Sequence, residues 1–335
     1  MRAMSFALLP AVALVAQAPA NADLAQRFNS ELPGLNQMLK ELKAQEALVK
    51  VETLIPAQRP AFDASSSQAI GKSLDNAQGL MSLYRLHANI ASEAGQWEKA
   101  IEIQERRARD ARAILADLEK AQSPLAAQWK KATQDSTDYV AKNEARKLEL
   151  EPKVNAFKAE YDEIKAGKKK LSRKEADEFN ARAAEIQNDE QELAQITAAL
   201  PVHKQNLITA PKVTKLLNDN RKEVEGMIQA ADEAVAKAKQ AVSTQNDEIT
   251  KFNTDQVLKK VKIVGKKNWV DAVLRNPENV TKLSGAQAQA GFLNRLLVLD
   301  PGNAAAQKAL DNLKQGKEPF PKDAKGAKKG GAKKK

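Results

Sequence analysis

The stretch Val213–Val261 decides the fold, and its central part, residues 224–252, reads VEGMIQAADEAVAKAKQAVSTQNDEITKF. Apolar or small residues recur there in steps that alternate between four and three, which is the spacing of a coiled-coil seam. The seam positions are Val224, Ile228, Ala231, Val235, Ala238, Val242, Gln245, Ile249 and Phe252. Because most of these side chains are small and one is polar, the helix requires a partner helix rather than a deep core.

The composition of the whole chain favours more helices of this kind. Among 335 residues, aromatic residues make up 4% and charged residues 29%, with 14 glycines and 13 prolines. Few bulky side chains and many good helix formers are typical of long amphipathic helices. We therefore expect an all-α protein of elongated shape.

The N-terminal segment 1–22 has the features of a secretory signal. Arg2 supplies a positive start, Phe6 to Ala16 is apolar, and Ala20-Asn21-Ala22 is a small-x-small cleavage site. We expect cleavage after Ala22 and export to the periplasm; retention of the segment as an anchor is the alternative. The absence of cysteine excludes a lipoprotein lipobox, disulfides and cysteine metal sites.

The C-terminal segment 316–335 is strongly basic. It carries eight lysines against Glu318 and Asp323, and we expect it to be disordered because it cannot bury apolar surface. Its charge can attract anionic lipids or cell-wall polymers, although a purely solubilising role is an equal alternative. The candidate contact residues are Lys322, Lys325, Lys328, Lys329, Lys333, Lys334 and Lys335.

The region 124–262 is predicted to be a long antiparallel coiled coil with a hairpin turn near 167–173. Gly167 stands where a left-handed helix cap is expected, and Ser172 with Glu175 forms a capping box that starts the return helix. An intramolecular partner for the Val213–Val261 helix is therefore preferred to a homodimer. Its far part, from Val242 onward, is where we expect self-association.

Prolines are expected to mark the helix boundaries. Pro33 with Gly34 should break the first helix, and Pro124 and Pro201 should each end one. Pro152 should kink its helix, and Pro211 should lie in the first turn of the seam helix.

Two segments resemble the tetratricopeptide repeat. Gly95–Ile101, with its Gly-x-Trp-x-x-Ala pattern, resembles the turn and second-helix start of that repeat, and Leu296–Leu310 resembles the connection between two repeats. The resemblance implies a smaller repeat-like helical domain, built from a region 23–123 (helix pair 68–123) and a region 263–315. Its implied core residues are Gly95, Trp97, Ala100, Leu297 and Pro301.

No catalytic chemistry is apparent in the sequence. His87 and His203 are the only histidines, and neither has a helical partner four residues away that would suggest a metal site. No phosphate-binding glycine loop and no nucleophile elbow is present. We predict no catalytic, cofactor or metal site, and no enzymatic activity.

The function expected is that of an exported, non-enzymatic scaffold or protein–protein interaction protein of the bacterial cell envelope. One alternative is a periplasmic holdase-type chaperone, and another is a binder of anionic cell-wall or membrane surfaces acting through the Lys-rich tail. The expected partners are unidentified proteins, an anionic polymer or a lipid surface; nucleic acid is the least expected because the chain is exported.

Overall fold

The computed structural model describes residues 23–262 and 264–321. The predicted signal 1–22 and the seven candidate contact lysines, Lys322 to Lys335, lie outside the described residues. Every regular element in the described part is a helix, as predicted. In chain order they are α1 (Asp23–Lys40), α2 (Ala44–Glu52), α3 (Ser67–Glu93), α4 (Trp97–Lys165), α5 (Arg173–Leu258), α6 (Lys266–Leu274), α7 (Glu278–Thr281), α8 (Gly285–Leu299) and α9 (Ala304–Lys314).

The chain forms two compact units. The hairpin unit comprises Leu115–Val224, and the terminal unit comprises the described residues up to Ile114 and from Glu225 onward. Each of the two long helices contributes to both units. The unit boundary on α5 therefore falls inside the seam stretch, and the larger part of the seam belongs to the terminal unit.

The predicted seam faces α4 along its first part and the C-terminal helices along its last part. All nine seam positions are buried or half-buried, with Val224 and Ala231 fully covered. In the terminal unit, ion pairs join Arg112 to Asp232 at 2.7 Å and Glu105 to Lys239 at 2.6 Å. Residue numbers that rise on one helix while they fall on the other show that the helices run antiparallel, as predicted.

The hairpin turn in the hairpin unit follows the predicted design. Gly167 has a φ of +73° directly after α4. The backbone N–H of Ser172 donates to Glu175 Oε2 at 2.7 Å, and the N–H of Glu175 donates to Ser172 Oγ at 3.4 Å. The two reciprocal bonds of a capping box are therefore both present.

Most of the prolines, however, do not mark the helix boundaries that we predicted. Pro33 lies inside α1, Pro124 lies inside α4, and Pro201 and Pro211 lie inside α5. Pro152 lies inside α4, as predicted. All five are exposed. A proline removes one helical hydrogen bond, and on a solvent-facing side water can satisfy the freed carbonyl while the buried face continues uninterrupted.

The expectation of an exposed far end of the seam, from Val242 onward, is also wrong. Gln245 and Ile249 are 5% and 6% exposed. Ile249 belongs to an apolar cluster of the terminal unit that includes Leu42, Trp269, Val270 and residues of α8 and α9. The C-terminal helices therefore cover this part of α5.

The hairpin unit has a smaller core. Leu150, Ile196 and Leu200 are buried together, with Tyr139, Val140 and Leu193 packed against them. Near the turn, the rings of Phe157 and Phe179 stack at 4.7 Å between centroids. Within the described part of the chain, no helix is long and apolar enough to cross a membrane.

Candidate interaction surface

The turn between α3 and α4 is where the N-terminal and C-terminal helices of the terminal unit meet. Gly95 has a φ of +78°, which favours glycine, and its N–H donates to the carbonyl of Ser92. A Cβ atom at this position would lie 2.5 Å from the backbone nitrogen of Arg295. Helix α8 therefore packs directly on the backbone of the turn, and only glycine allows that approach.

Arg295 on α8 connects this turn to both long helices. Its side chain is 1% exposed. The guanidinium donates to both carboxylate oxygens of Glu98 at 2.6 and 2.7 Å, to the carbonyl of Gly95 at 3.2 Å and to Oε1 of Gln245 at 2.7 Å. It also lies 4.8 Å from the centre of the Trp97 ring. The hydrogen bonds from Arg295 hold the pKa of Glu98 below its usual range.

Further polar contacts satisfy the remaining carbonyl groups of the turn. Asn294 Nδ2 donates to the carbonyl of Glu93 at 2.8 Å, and Gln45 Nε2 on α2 donates to the carbonyl of Ala94 at 2.8 Å. Buried acceptors left without such partners would be costly. Helices α2, α3, α4, α5 and α8 are thereby fixed around one turn.

The connection between α8 and α9 is equally well defined. Asn303 caps α9, its Oδ1 accepting from the N–H of Ala306 at 3.0 Å. Its Nδ2 donates to Asp300 Oδ2 at 3.0 Å and to Asp271 Oδ1 at 2.8 Å. Asp300 and Asn303 are both buried, so this loop is rigidly placed beside the start of α2.

An open cleft of about 310 Å³ lies beside this loop. Leu42, Leu297 and Leu310 give it an apolar floor, and Val298, 40% exposed, stands beside them. Lys43, Glu46, Gln307 and Lys314 provide polar and charged groups at the same opening. An apolar floor with polar groups around it is the usual form of a site for one side of a partner helix or an extended segment.

Leu42 is held in this cleft by an uncommon backbone conformation. Its φ is +59°, which costs a side chain other than glycine about 1 kcal/mol or more. The N–H of Leu42 donates to the carbonyl of Leu39 at 3.0 Å, and that of Lys43 donates to Met38 at 2.8 Å, closing the end of α1. Packing against α8 and α9 holds the residue in place.

The structure places the first repeat-like segment against α8, the helix in which the second repeat-like segment begins. Gly95 and Ala100 are buried and Trp97 is half-buried, all at the turn that contacts α8. Leu297 is half-buried on the cleft floor, whereas Pro301 is exposed and lines the cleft rather than a core. The sequence analysis did not identify Arg295 or Leu42. The only feature that pointed to Arg295 was the polar Gln245 in an otherwise apolar seam.

The two histidines lie in separate polar surroundings. His87 in the terminal unit is 7% exposed with Nε2 3.8 Å from Glu52, and its burial lowers its pKa. His203 in the hairpin unit stacks on Tyr139 at 4.1 Å, and its Nδ1 lies 3.1 Å from Oγ of the buried Ser136. Within 23–262 and 264–321, no group of three or more His, Cys, Asp or Glu side chains is placed to hold a metal ion.

Comparison with protein-family models, with curated proteins and with solved structures finds no match to this chain.

Proposed function

We propose that the protein is an exported, non-enzymatic interaction or scaffold protein of the cell envelope, whose repeat-like terminal unit receives a partner in the cleft between α2, α8 and α9. The cleft is the observation that carries the proposal. Its floor is apolar, its surroundings are polar, and its walls are fixed by the Arg295 and Asn303 hydrogen bonds. A preorganised site loses little conformational entropy when a partner binds.

The dimensions of the cleft suit one or two apolar side chains of a partner. Its volume of about 310 Å³ lies at the lower end of the range found for ligand sites. The side-chain amide N–H groups of Gln45 and Asn294 already donate to carbonyl groups of the turn. Recognition therefore rests on Leu42, Leu297 and Leu310, with the exposed Lys314 available to an acidic residue of the partner. Lys43 at the same opening already pairs with Glu41 at 2.7 Å.

Site-specific photocrosslinking in intact cells tests this proposal. A photoreactive residue at Val298 should capture a defined partner, and the same residue at Lys237, which is exposed on α5 of the same unit, should not. A Leu297→Glu substitution, at a half-buried residue of the cleft floor, should abolish the Val298 crosslink while helicity measured by circular dichroism is retained. Equal crosslinking from both positions, or a crosslink that survives the Leu297 change, would contradict the proposal.

The other two functions expected from the sequence remain predictions. Tail binding depends on Lys322 and the lysines that follow it, which lie outside the described residues. The holdase role has no observation of its own in the described helices.

A further inference from the structure

The end of α5 and the segment after it carry an unusual combination of exposed apolar and cationic side chains. Val257 and Leu258 are 63% and 75% exposed in the last turn of α5, and Val264 is 46% exposed shortly after it. An isolated exposed leucine or valine is ordinary on a protein surface. Three within eight residues form a contiguous feature that requires an explanation.

Four of the five lysines of this segment have no acidic partner in the described part of the chain. The sequence contains no acidic residue between Asp255 and Asp271 but has five lysines there. Lys266 acts electrostatically on Glu98. The other four are exposed, and none forms an ion pair within the described part of the chain; they are Lys259, Lys260, Lys262 and Lys267.

Helix stability accounts for only part of this arrangement. Cations near the C-terminal end of a helix interact favourably with its dipole, which explains Lys259 and Lys260. The dipole does not explain why Val257 and Leu258 face solvent. It also does not stabilise Lys267, which lies at the start of α6, because cations are unfavourable at a helix N-terminus. A purely solubilising surface would not expose these apolar groups.

The types of the exposed residues distinguish between a protein partner and a lipid surface. Protein interfaces are enriched in tyrosine, tryptophan and arginine and depleted in lysine. The exposed side chains of this segment include no tyrosine, tryptophan or arginine, but they include five lysines. An anionic bilayer surface suits both features, because ammonium groups attract lipid headgroups while short apolar side chains enter the boundary of the acyl region.

We propose that this basic apolar patch binds the surface of an anionic lipid bilayer. The patch comprises residues 257–262 together with Val264 and Lys267. The lysine ammonium groups contact headgroup phosphates, and Val257 and Leu258 insert at the interface without any segment spanning the membrane. The site is distinct from the cleft and from the lysines of the tail.

Vesicle partitioning of the full chain tests the electrostatic part. The chain should bind vesicles of phosphatidylglycerol and phosphatidylcholine and not vesicles of phosphatidylcholine alone. Each lysine near an anionic surface contributes about 1 kcal/mol, or about fivefold in partitioning. Removal of three should therefore weaken binding on the order of 100-fold; the variant is Lys259→Gln, Lys262→Gln, Lys267→Gln.

A matched control separates this patch from the net charge of the chain. It removes three exposed lysines of α5 that likewise form no ion pair in the described residues, namely Lys212, Lys215 and Lys222. This control should bind as the unaltered chain does, within about twofold. Equal loss in the two triple variants would assign binding to overall charge and overturn the proposal.

Two further measurements test the apolar part. The Val257→Ser, Leu258→Ser double variant keeps every lysine, yet its partitioning onto anionic vesicles should fall at least tenfold. Unchanged binding would show that these side chains do not insert and would refute the proposed membrane contact. Because the chain has no cysteine, Leu258→Cys and a control at Ala194 can each carry one environment-sensitive fluorophore. Only the label at 258 should shift to the blue on anionic vesicles, and equal shifts would contradict the proposal. Circular dichroism confirms the helicity of each variant.

Discussion

Substitution of Gly95 by alanine tests whether the terminal unit is held together at the α3–α4 turn. The new methyl group would meet the backbone nitrogen of Arg295 at 2.5 Å and the carbonyl oxygen of Asn294 at 2.6 Å. Both are main-chain atoms, so no side-chain rotation can relieve the overlap. Helix α8 would have to move away from the turn.

The expected cost has two parts. A left-handed conformation costs a residue other than glycine about 1–2 kcal/mol, and overpacking of a close contact adds about 1–3 kcal/mol. Moving α8 would also lengthen the bonds of Arg295 to Glu98 and Gln245. We expect the free energy of unfolding of the terminal unit to fall by about 4 kcal/mol.

Gly316→Ala is the matched control in the same unit. Gly316 has a φ of +71°, but a Cβ atom there would have no neighbour within 4 Å. Only the conformational part applies, and we expect a loss of about 1 kcal/mol. Hydrogen exchange followed by mass spectrometry, read on peptides covering residues 85–100 and 285–300, should show faster exchange for Gly95→Ala alone. If the two variants lie within about 1 kcal/mol of each other, the close approach of α8 is not what holds the turn.

Three other changes have outcomes that follow from named contacts. His87→Gln should reduce the loss of stability at acid pH, because burial lowers the pKa of His87 below its ordinary value near 6.5. The unfolded chain then binds more protons than the native chain as the pH falls, which destabilises the native chain. The urea midpoints at pH 7.5 and 5.5 should differ less in the variant than in the unaltered chain, and an unchanged difference would contradict this. Arg295→Met should lower the free energy of unfolding by about 2–4 kcal/mol because buried acceptors lose their donor. Arg295→Lys should recover little of this loss, since a lysine cannot form the two parallel hydrogen bonds of the guanidinium. Full recovery in the lysine variant, measured by chemical denaturation, would show that these paired bonds are not required. Ser172→Ala should destabilise the start of α5 by about 1 kcal/mol, whereas Ser172→Asp, which keeps the cap, should not; equal exchange rates at the turn in both variants would count against the capping box.

The parts of the fold that depend on local spacing were predictable from the sequence. The four-three alternation identified the buried face of α5, and Gly167 with Ser172 and Glu175 identified the hairpin turn. The prolines were misread because the effect of a proline depends on its direction. Pro124 and Pro201 face solvent, and that orientation follows from the position of the seam rather than from the proline itself.

Arg295 shows why the centre of the candidate site could not be found in this way. In the sequence it stands among the leucines of α8 as an ordinary charged residue, and its partners Glu98 and Gln245 lie 197 and 50 residues away. Local periodicity carries no information on such contacts. The polar Gln245 at a seam position was nevertheless a usable signal, because a buried amide requires a partner. A search of the apolar segments for a charged residue that could be the partner of this amide leads to the arginine within Leu293–Leu297. That residue in turn identifies the contact between α8 and the α3–α4 turn.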